Sequence, residues 1–288
     1  MEINRIYPDE HPFTQILATI AKPPKSLCFI GNLPTERPPV VAIVGSRKPT
    51  SYGREVTERL SYDLAQAGCL IVSGLALGVD GIAHRAALEA GGQTIGIVTN
   101  QLPDISPRSH RRLAEDIIKQ GGAIFSEWGP GDTAVVSRWS FLERNRLVSG
   151  LADAVIITEA AARSGTLNTA AHALTQGRDV FVVPGNITSP LSAGCNALLH
   201  QGANPVLAAA DVLAVVAPEQ RAQHDTPLPL GASPAEDNII RLLQQGLRDG
   251  DQLQQQSGLS PADFATALTM LEINGVVKPL GANTWKLS

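Results

Sequence analysis

No apolar run in this chain reaches the roughly 18 residues that a membrane-spanning helix needs. Its first residues carry Glu2, Arg5 and Asp9 where a secretory leader would place an apolar stretch. Membrane association and export are therefore not expected, and the default compartment is the cytoplasm. Cysteine is scarce: Cys28, Cys69 and Cys195 are odd in number, far apart and without a CxxC pair. That excludes a disulfide framework or a zinc site as the expectation and favours reduced structural thiols. Positive charge is not in excess either, at a net −4. A protein that coats duplex DNA needs many Lys and Arg to neutralise phosphates, so that class is disfavoured, although a local basic groove is not. GxxxxGK[ST], GxGxxG and GxSxG are all missing, which argues against a P-loop NTPase, conventional dinucleotide binding and an α/β-hydrolase nucleophile. No cofactor, no metal and no small-molecule substrate is expected.

What is present is a chain of 288 residues, 43% of them hydrophobic, enough for one large domain and a smaller one. Apolar strand candidates recur at 40–44, 69–73, 94–98, 123–126, 154–158, 180–183 and 205–207, mostly separated by helical patterns. The alternation predicts an α/β fold with a doubly wound, Rossmann-like parallel sheet. In the first helix Val56, Leu60 and Leu64 repeat every fourth residue and place one apolar stripe on the sheet, and Gly68 suits a left-handed stop. Several strands run into glycine- or serine-bearing turns with an arginine beyond. In VVAIVGSRKPTSYG, Gly45 permits a tight turn, and Ser46 and Arg47 precede a helix. That helix N-terminus is expected to offer free N–H groups to a phosphate, with Arg47 adding a forked contact.

The segment PEQRAQHDTPLPLGAS reads as a linker because it is rich in proline and polar residues. The expected organisation is a lead-in at 1–39, a Rossmann-like domain at 40–217, a linker at 218–233 and a winged-helix domain at 234–288. In that last domain, helices at 234–247, 251–257 and 261–274 precede a hairpin at 276–287 that turns near Gly281 and Asn283. Its third helix holds no Lys or Arg and carries Asp263 and Glu272, and residues 233–288 have a net charge of −2. Groove reading needs donors that this helix lacks, so a protein-interaction or regulatory role is expected ahead of DNA contact.

In SRWSFLERNRLVSGLAD, Arg138, Arg144 and Arg146 cluster with Trp139 and Phe141 in a chain that is only 4% aromatic. Two readings stand. Guanidinium groups interleaved with rings suit a single-stranded nucleic-acid groove; alternatively the rings are core and the arginines pair with Glu143 and Asp153. Asp80 and His84, four apart, admit a metal reading only with His172 as an unsupported third partner. The plainer reading makes Asp80 a helix N-cap and His84 a hydrogen-bonded helix residue. Ser73 and Ser164 read as turn formers or phosphate donors.

The ordered succession VAIVGSRKPTSYG, VSGLALGVDGIAHRAAL, FLERNRLVSGLAD, EAAARSGTLNTAAHAL, GRDVFVVPGNI and GCNALLHQGA resembles the DNA processing protein A (DprA/Smf) family, and YPDEHPF and KPPKSLCFIGN resemble its lead-in. The resemblance runs from about Tyr7 to Val216, and the terminal winged helix is also similar to the family's C-terminal domain. It implies a non-enzymatic single-stranded DNA-binding protein that dimerises and helps load the RecA recombinase in natural transformation. Carried over, Gly45, Ser46, Arg47, Arg138, Phe141, Arg144, Asn145 and Arg146 would line the DNA pocket, with Phe141 as the stacking ring. Ser164, Gly165 and Thr166 would supply small donors, and Lys48 is a further candidate. The sequence departs from the family pattern in Leu142 for the proline of FPxRNR, in Ser106 before Pro107, and in Asn168 where an aliphatic residue is usual. It also starts almost directly at the Rossmann-like region, so the helical N-terminal domain of many members is expected to be missing.

Two other classes remain. A phosphoribohydrolase on the same fold would carry PGGxGTxxE, but alignment on Gly165 and Thr166 puts Thr169 at the glutamate; Glu159 or Glu127 would serve only with different geometry. A sensor of small nucleotides, signalling through the winged helix, is the third class. Both predict saturable mononucleotide binding, whereas the family reading predicts affinity that grows with strand length.

Overall fold

The computed structural model describes residues 2–133, 137–218, 233–281 and 283–287. Of the expected linker, residues 219–232 lie outside the described residues. The chain divides into two compact units, Met1–His224 and Asp225–Ser288.

The first unit runs β1 (Asn4–Ile6), β2 (Leu27–Gly31), β3 (Val40–Val44), α1 (Ser51–Gln66), β4 (Leu70–Ser73), α2 (Val79–Glu89), β5 (Thr94–Ile97), α3 (Arg111–Lys119) and β6 (Ala123–Ser126). It continues with α4 (Arg138–Leu151), β7 (Ala154–Ile157), α5 (Thr166–Thr175), β8 (Asp179–Val182), α6 (Ala193–His200), β9 (Asn204–Pro205) and α7 (Ala209–Val216). The strands form one nine-stranded sheet in the order β1-β2-β6-β5-β4-β3-β7-β8-β9. From β6 to β9 every pairing is parallel. β2 is antiparallel to both β1 and β6.

All five residues of β3 are buried, as a strand covered on both faces requires. The two-residue period then sorts them. Val40, Ala42 and Val44 pack with Leu147, Val148 and Leu151 of α4 and Ala170 of α5. Val41 and Ile43 join Leu60 and Leu64 of α1, Ala83 of α2 and Val212 of α7. This is the doubly wound α/β arrangement that the periodicity predicts. The chain winds outward from β3 through β4 and β5 to β6, then returns to the other side of β3 with β7. The carboxyl ends of β3 and β7 therefore flank a topological switch point, where a crevice opens in such sheets.

The sequence reading placed no strand before residue 40. β1 and β2 extend the sheet there, and three-residue β1, mostly exposed, has no alternation to betray it. Asp80 is not the N-cap of α2; Gly78 is, at φ 77°.

The second unit holds α8 (Pro234–Gln244), α9 (Gly250–Ser257), α10 (Pro261–Ile273) and an antiparallel hairpin of β10 (Val277–Gly281) and β11 (Thr284–Leu287). Ser233, Asp249 and Ser260 cap the three helices by accepting backbone N–H bonds. Ile239, Leu243, Leu253, Phe264, Leu268, Leu271 and Val277 form its core. It is a winged helix.

Candidate nucleic-acid interface at the switch point

Because β3 to β8 run parallel, the turns after them leave one edge of the sheet: GSR after β3, SGLALG after β4, and TEAAARSGT after β7. Gly45, Ser46 and Arg47 are thereby set opposite Ser164, Gly165 and Thr166. A chain of hydroxyls ties the two turns together. Ser164 Oγ donates to Thr166 Oγ1 at 3.0 Å, and Thr166 Oγ1 donates to the Gly45 carbonyl at 3.1 Å. The Thr166 N–H donates to Ser164 Oγ at 3.2 Å, so these small donors already serve one another.

Arg47 and Lys48 are exposed. The Arg47 guanidinium carbon stands 5.5 Å from the ring centroid of half-buried Phe141, which projects from the first turn of α4. A cation over a ring face at that distance is attracted by the ring quadrupole. Arginine and aromatic thus meet at the switch point as the nucleic-acid reading expects. Trp139 is 77% exposed, so it is not the core residue that the alternative reading needs.

Arg144 and Arg146, in contrast, are only 7% and 5% exposed. Arg144 Nη1 donates to the Gly74 carbonyl at 2.7 Å and to that of Ile97, gripping the ends of β4 and β5. A Cβ on Gly74 would lie 2.2 Å from this nitrogen, so a larger residue there would push the guanidinium aside. Burial pulls the Arg144 pKa down to about 10; nearby Asp80 opposes that shift, and Arg47 adds to it. Asp80, whose own pKa burial raises, accepts from the N–H of Gly74 at 3.0 Å and of Ala76 at 3.3 Å. Arg146 makes a two-toothed bridge to Glu127, at 2.6 and 2.9 Å, and donates to the Lys22 carbonyl at 2.9 Å. It does reach Glu143, at 3.8 Å, but Asp153 is held by Arg37. Asn145 Nδ2 donates to Asn168 Oδ1 at 3.3 Å, so the unusual Asn168 joins α4 to α5. Of Arg138 only the backbone, the first residue of α4, is described.

The N-terminus of α1 has a carboxylate, Glu159, beside its capping residue Thr50, whose hydroxyl accepts from the Gly53 N–H. This carboxylate, 2% exposed, accepts from the Thr50 N–H at 2.9 Å and from the Thr50 hydroxyl. Gly53 makes room, since a Cβ there would sit 2.4 Å from the Glu159 carboxylate. Arg163, which the sequence reading did not single out, is exposed directly beside Ser164 in the RSGT turn.

Asp80 and His84 form no metal pair. His84 Nδ1 bonds Thr94 Oγ1 at 2.7 Å, and no group of three metal-ligating side chains occurs among the described residues. Nor is any helix among them long and apolar enough to cross a membrane.

Residues 4–217 match the family model of DNA recombination-mediator protein A, and 221–283 match that of the DprA winged helix domain. The DNA processing protein DprA of Bacillus subtilis is 37% identical over 76% of this chain and 72% of its own length. A putative counterpart in Mycobacterium tuberculosis is 39% identical over 84% of this chain, which spans only 62% of that relative. Among solved structures, DprA from Streptococcus pneumoniae superposes with a TM-score of 0.68 at 37% identity, covering 74% of each chain. DNA processing protein A from Helicobacter pylori, solved for its single-stranded DNA binding mode, gives 0.64 at 33% identity, over 74% of this chain and 95% of that one.

Proposed function

Because this chain belongs to the DNA recombination-mediator protein A family, we propose that it is a cytoplasmic, non-enzymatic mediator that binds and protects single-stranded DNA. As a homodimer it helps load the RecA recombinase, as in natural transformation. The observation that carries the DNA reading is the exposed Arg47 guanidinium set over Phe141 at the switch point. The Helicobacter pylori relative, described for its single-stranded DNA binding mode, supports it; the RecA and dimer roles rest on family membership.

In this reading Arg47 and Lys48 meet phosphates, and a base stacks on Phe141 once Arg47 swings from the ring to the backbone. Gly45, Ser46, Ser164, Gly165 and Thr166 form a wall slim enough for the strand to approach. Arg144, Asn145 and Arg146 act mainly by fixing α4, and buried Arg144 adds positive field beneath the crevice. Arg138 is assigned a backbone contact. The winged helix, with no cation on α10, serves protein contact or regulation.

Hydrolysis is disfavoured, because Thr169 occupies the position where the phosphoribohydrolases hold their glutamate, Glu127 is bound to Arg146 and Glu159 to Thr50. Fluorescence anisotropy of labelled oligonucleotides, single- and double-stranded, over several lengths and salt concentrations, tests the proposal. Tight, length-dependent, salt-sensitive binding that favours single strands is expected. Saturable mononucleotide binding with no affinity for strands at low salt would overturn it.

A further inference from the structure

A second cleft opens on the same sheet edge, past the ends of β5 and β6. It has a volume of about 230 Å³ and is bounded by Thr99, Glu127, Trp128, Trp139, Glu143 and Arg144, among others. Two of the three tryptophans in the chain stand here, 38% and 77% exposed. Trp128 is anchored through its backbone, where its N–H donates to Ser126 Oγ at 3.0 Å. Thr99 and Arg144 are 5% and 7% exposed. Each nevertheless keeps a polar atom without a partner among the described residues, Thr99 Oγ1 and Arg144 Nε. Buried donors and acceptors are seldom left unmet, so a ligand edge that accepts from Nε and pairs with the hydroxyl would complete the cleft.

The rim says what kind of ligand. Glu127 is neutralised by Arg146, and Glu143 by Lys22 and Arg146. Among the described residues, the one cation lining the cleft, Arg144, already donates Nη1 to two protein carbonyls. That arrangement does not suit a phosphate. Indole faces beside a carbonyl-seeking N–H suit an uncharged, flat, polar-edged group, and a nucleobase is one. The position fits as well: two to three strand spacings, about 10–15 Å, separate β3 from β5 and β6, and Arg144 grips β4 and β5 between them. We propose that the Trp128–Trp139 cleft is a second base-stacking seat, occupied by a nucleotide further along the strand whose other base stacks on Phe141.

This inference rests on the single-stranded DNA reading, and one experiment separates the two. Full-length protein carrying Trp285→Phe, so that Trp128 and Trp139 report, is titrated with oligo(dT) of increasing length while tryptophan fluorescence and affinity are read. Trp139→Ala should weaken binding of longer strands by about 5- to 150-fold, the worth of one stacked base, and should abolish most quenching. The shortest strands, which fill only the Arg47 crevice, should bind as before, and Trp139→Phe should retain most of the long-strand affinity. Since Trp139 is largely exposed, the change should leave the fold intact by circular dichroism. Unchanged affinity at every length in Trp139→Ala, with Arg47→Ala still weakening binding, overturns the second seat and leaves the first. No strand binding by the parent protein overturns both.

Discussion

Replacing Arg47 by alanine tests the interface most directly, because the structure isolates what that side chain does. Its guanidinium is exposed, and the contact described for it is the Phe141 ring. Deleting an exposed side chain leaves no buried group unmet, so folding stability should change by no more than about 0.5 kcal/mol. Binding should change in a specific way. A phosphate contact on a single strand contributes about 0.7 to the slope of log K against log salt. Arg47→Ala should therefore lower the slope magnitude by roughly 0.7, so that the ratio of wild-type to variant affinity shrinks about 2.6-fold between 50 and 200 mM salt. Phe141→Ala should weaken binding at every salt with the slope kept, because stacking releases no counterion. Anisotropy titrations at four or five salt concentrations measure both. Arg146→Ala is the contrast: losing the buried bridge to Glu127 should cost about 3–5 kcal/mol of stability, seen as a lower melting temperature. Equal slopes for wild type and Arg47→Ala would remove Arg47 from phosphate contact and refute the reasoning.

Acid should expose the buried imidazole of His84. Burial, aided by His110, holds its pKa down to about 3 against about 6.5 unfolded, so its stabilising effect is full above pH 6.5 and is lost as pH falls toward 3. At pH 4.5 the loss is on the order of 3 kcal/mol, and His84→Gln should flatten the denaturation midpoint against pH over that window. The thiols of Cys69 and Cys195, raised by burial to about 12 and about 11, should resist an aromatic disulfide reagent at pH 8 until the protein is denatured; rapid labelling of either in the native protein would contradict this.

The sheet was legible where burial on both faces forces a run of apolar residues. β3 and β6 match the expected spans residue for residue, and β4, β5, β7 and β8 differ by a single residue at one or both ends. β9 was harder, since two residues with a proline at the sheet edge carry almost no pattern. That a ring and an arginine meet at the sheet edge was legible in kind, because a ring among arginines is rare in so aromatic-poor a chain, but which arginines are buried was not. Which arginine is buried depends on partners far away in sequence: Gly74 and Ile97 for Arg144, and Lys22 and Glu127 for Arg146. No local spacing encodes those pairs. The Glu159–Thr50 bond at the start of α1 is likewise a contact across 109 residues, which the pattern of a helix start does not encode.

Net charge says little about the switch point, for a physical reason. The acidic side chains near the α4 arginines are spent locally: Glu127 on Arg146, Glu143 on Lys22 and Arg146, and Asp153 on Arg37. Arg47, Lys48 and Arg163 stand exposed on the sheet edge, and none of the three takes part in an ion pair among the described residues. Over a Debye length of about 8 Å, an approaching strand feels these cations and little of the molecule's total of −4. A chain with a negative balance can thus present a positive crevice. Its affinity for single strands should be set by the few cations at the switch point rather than by the sum over the sequence.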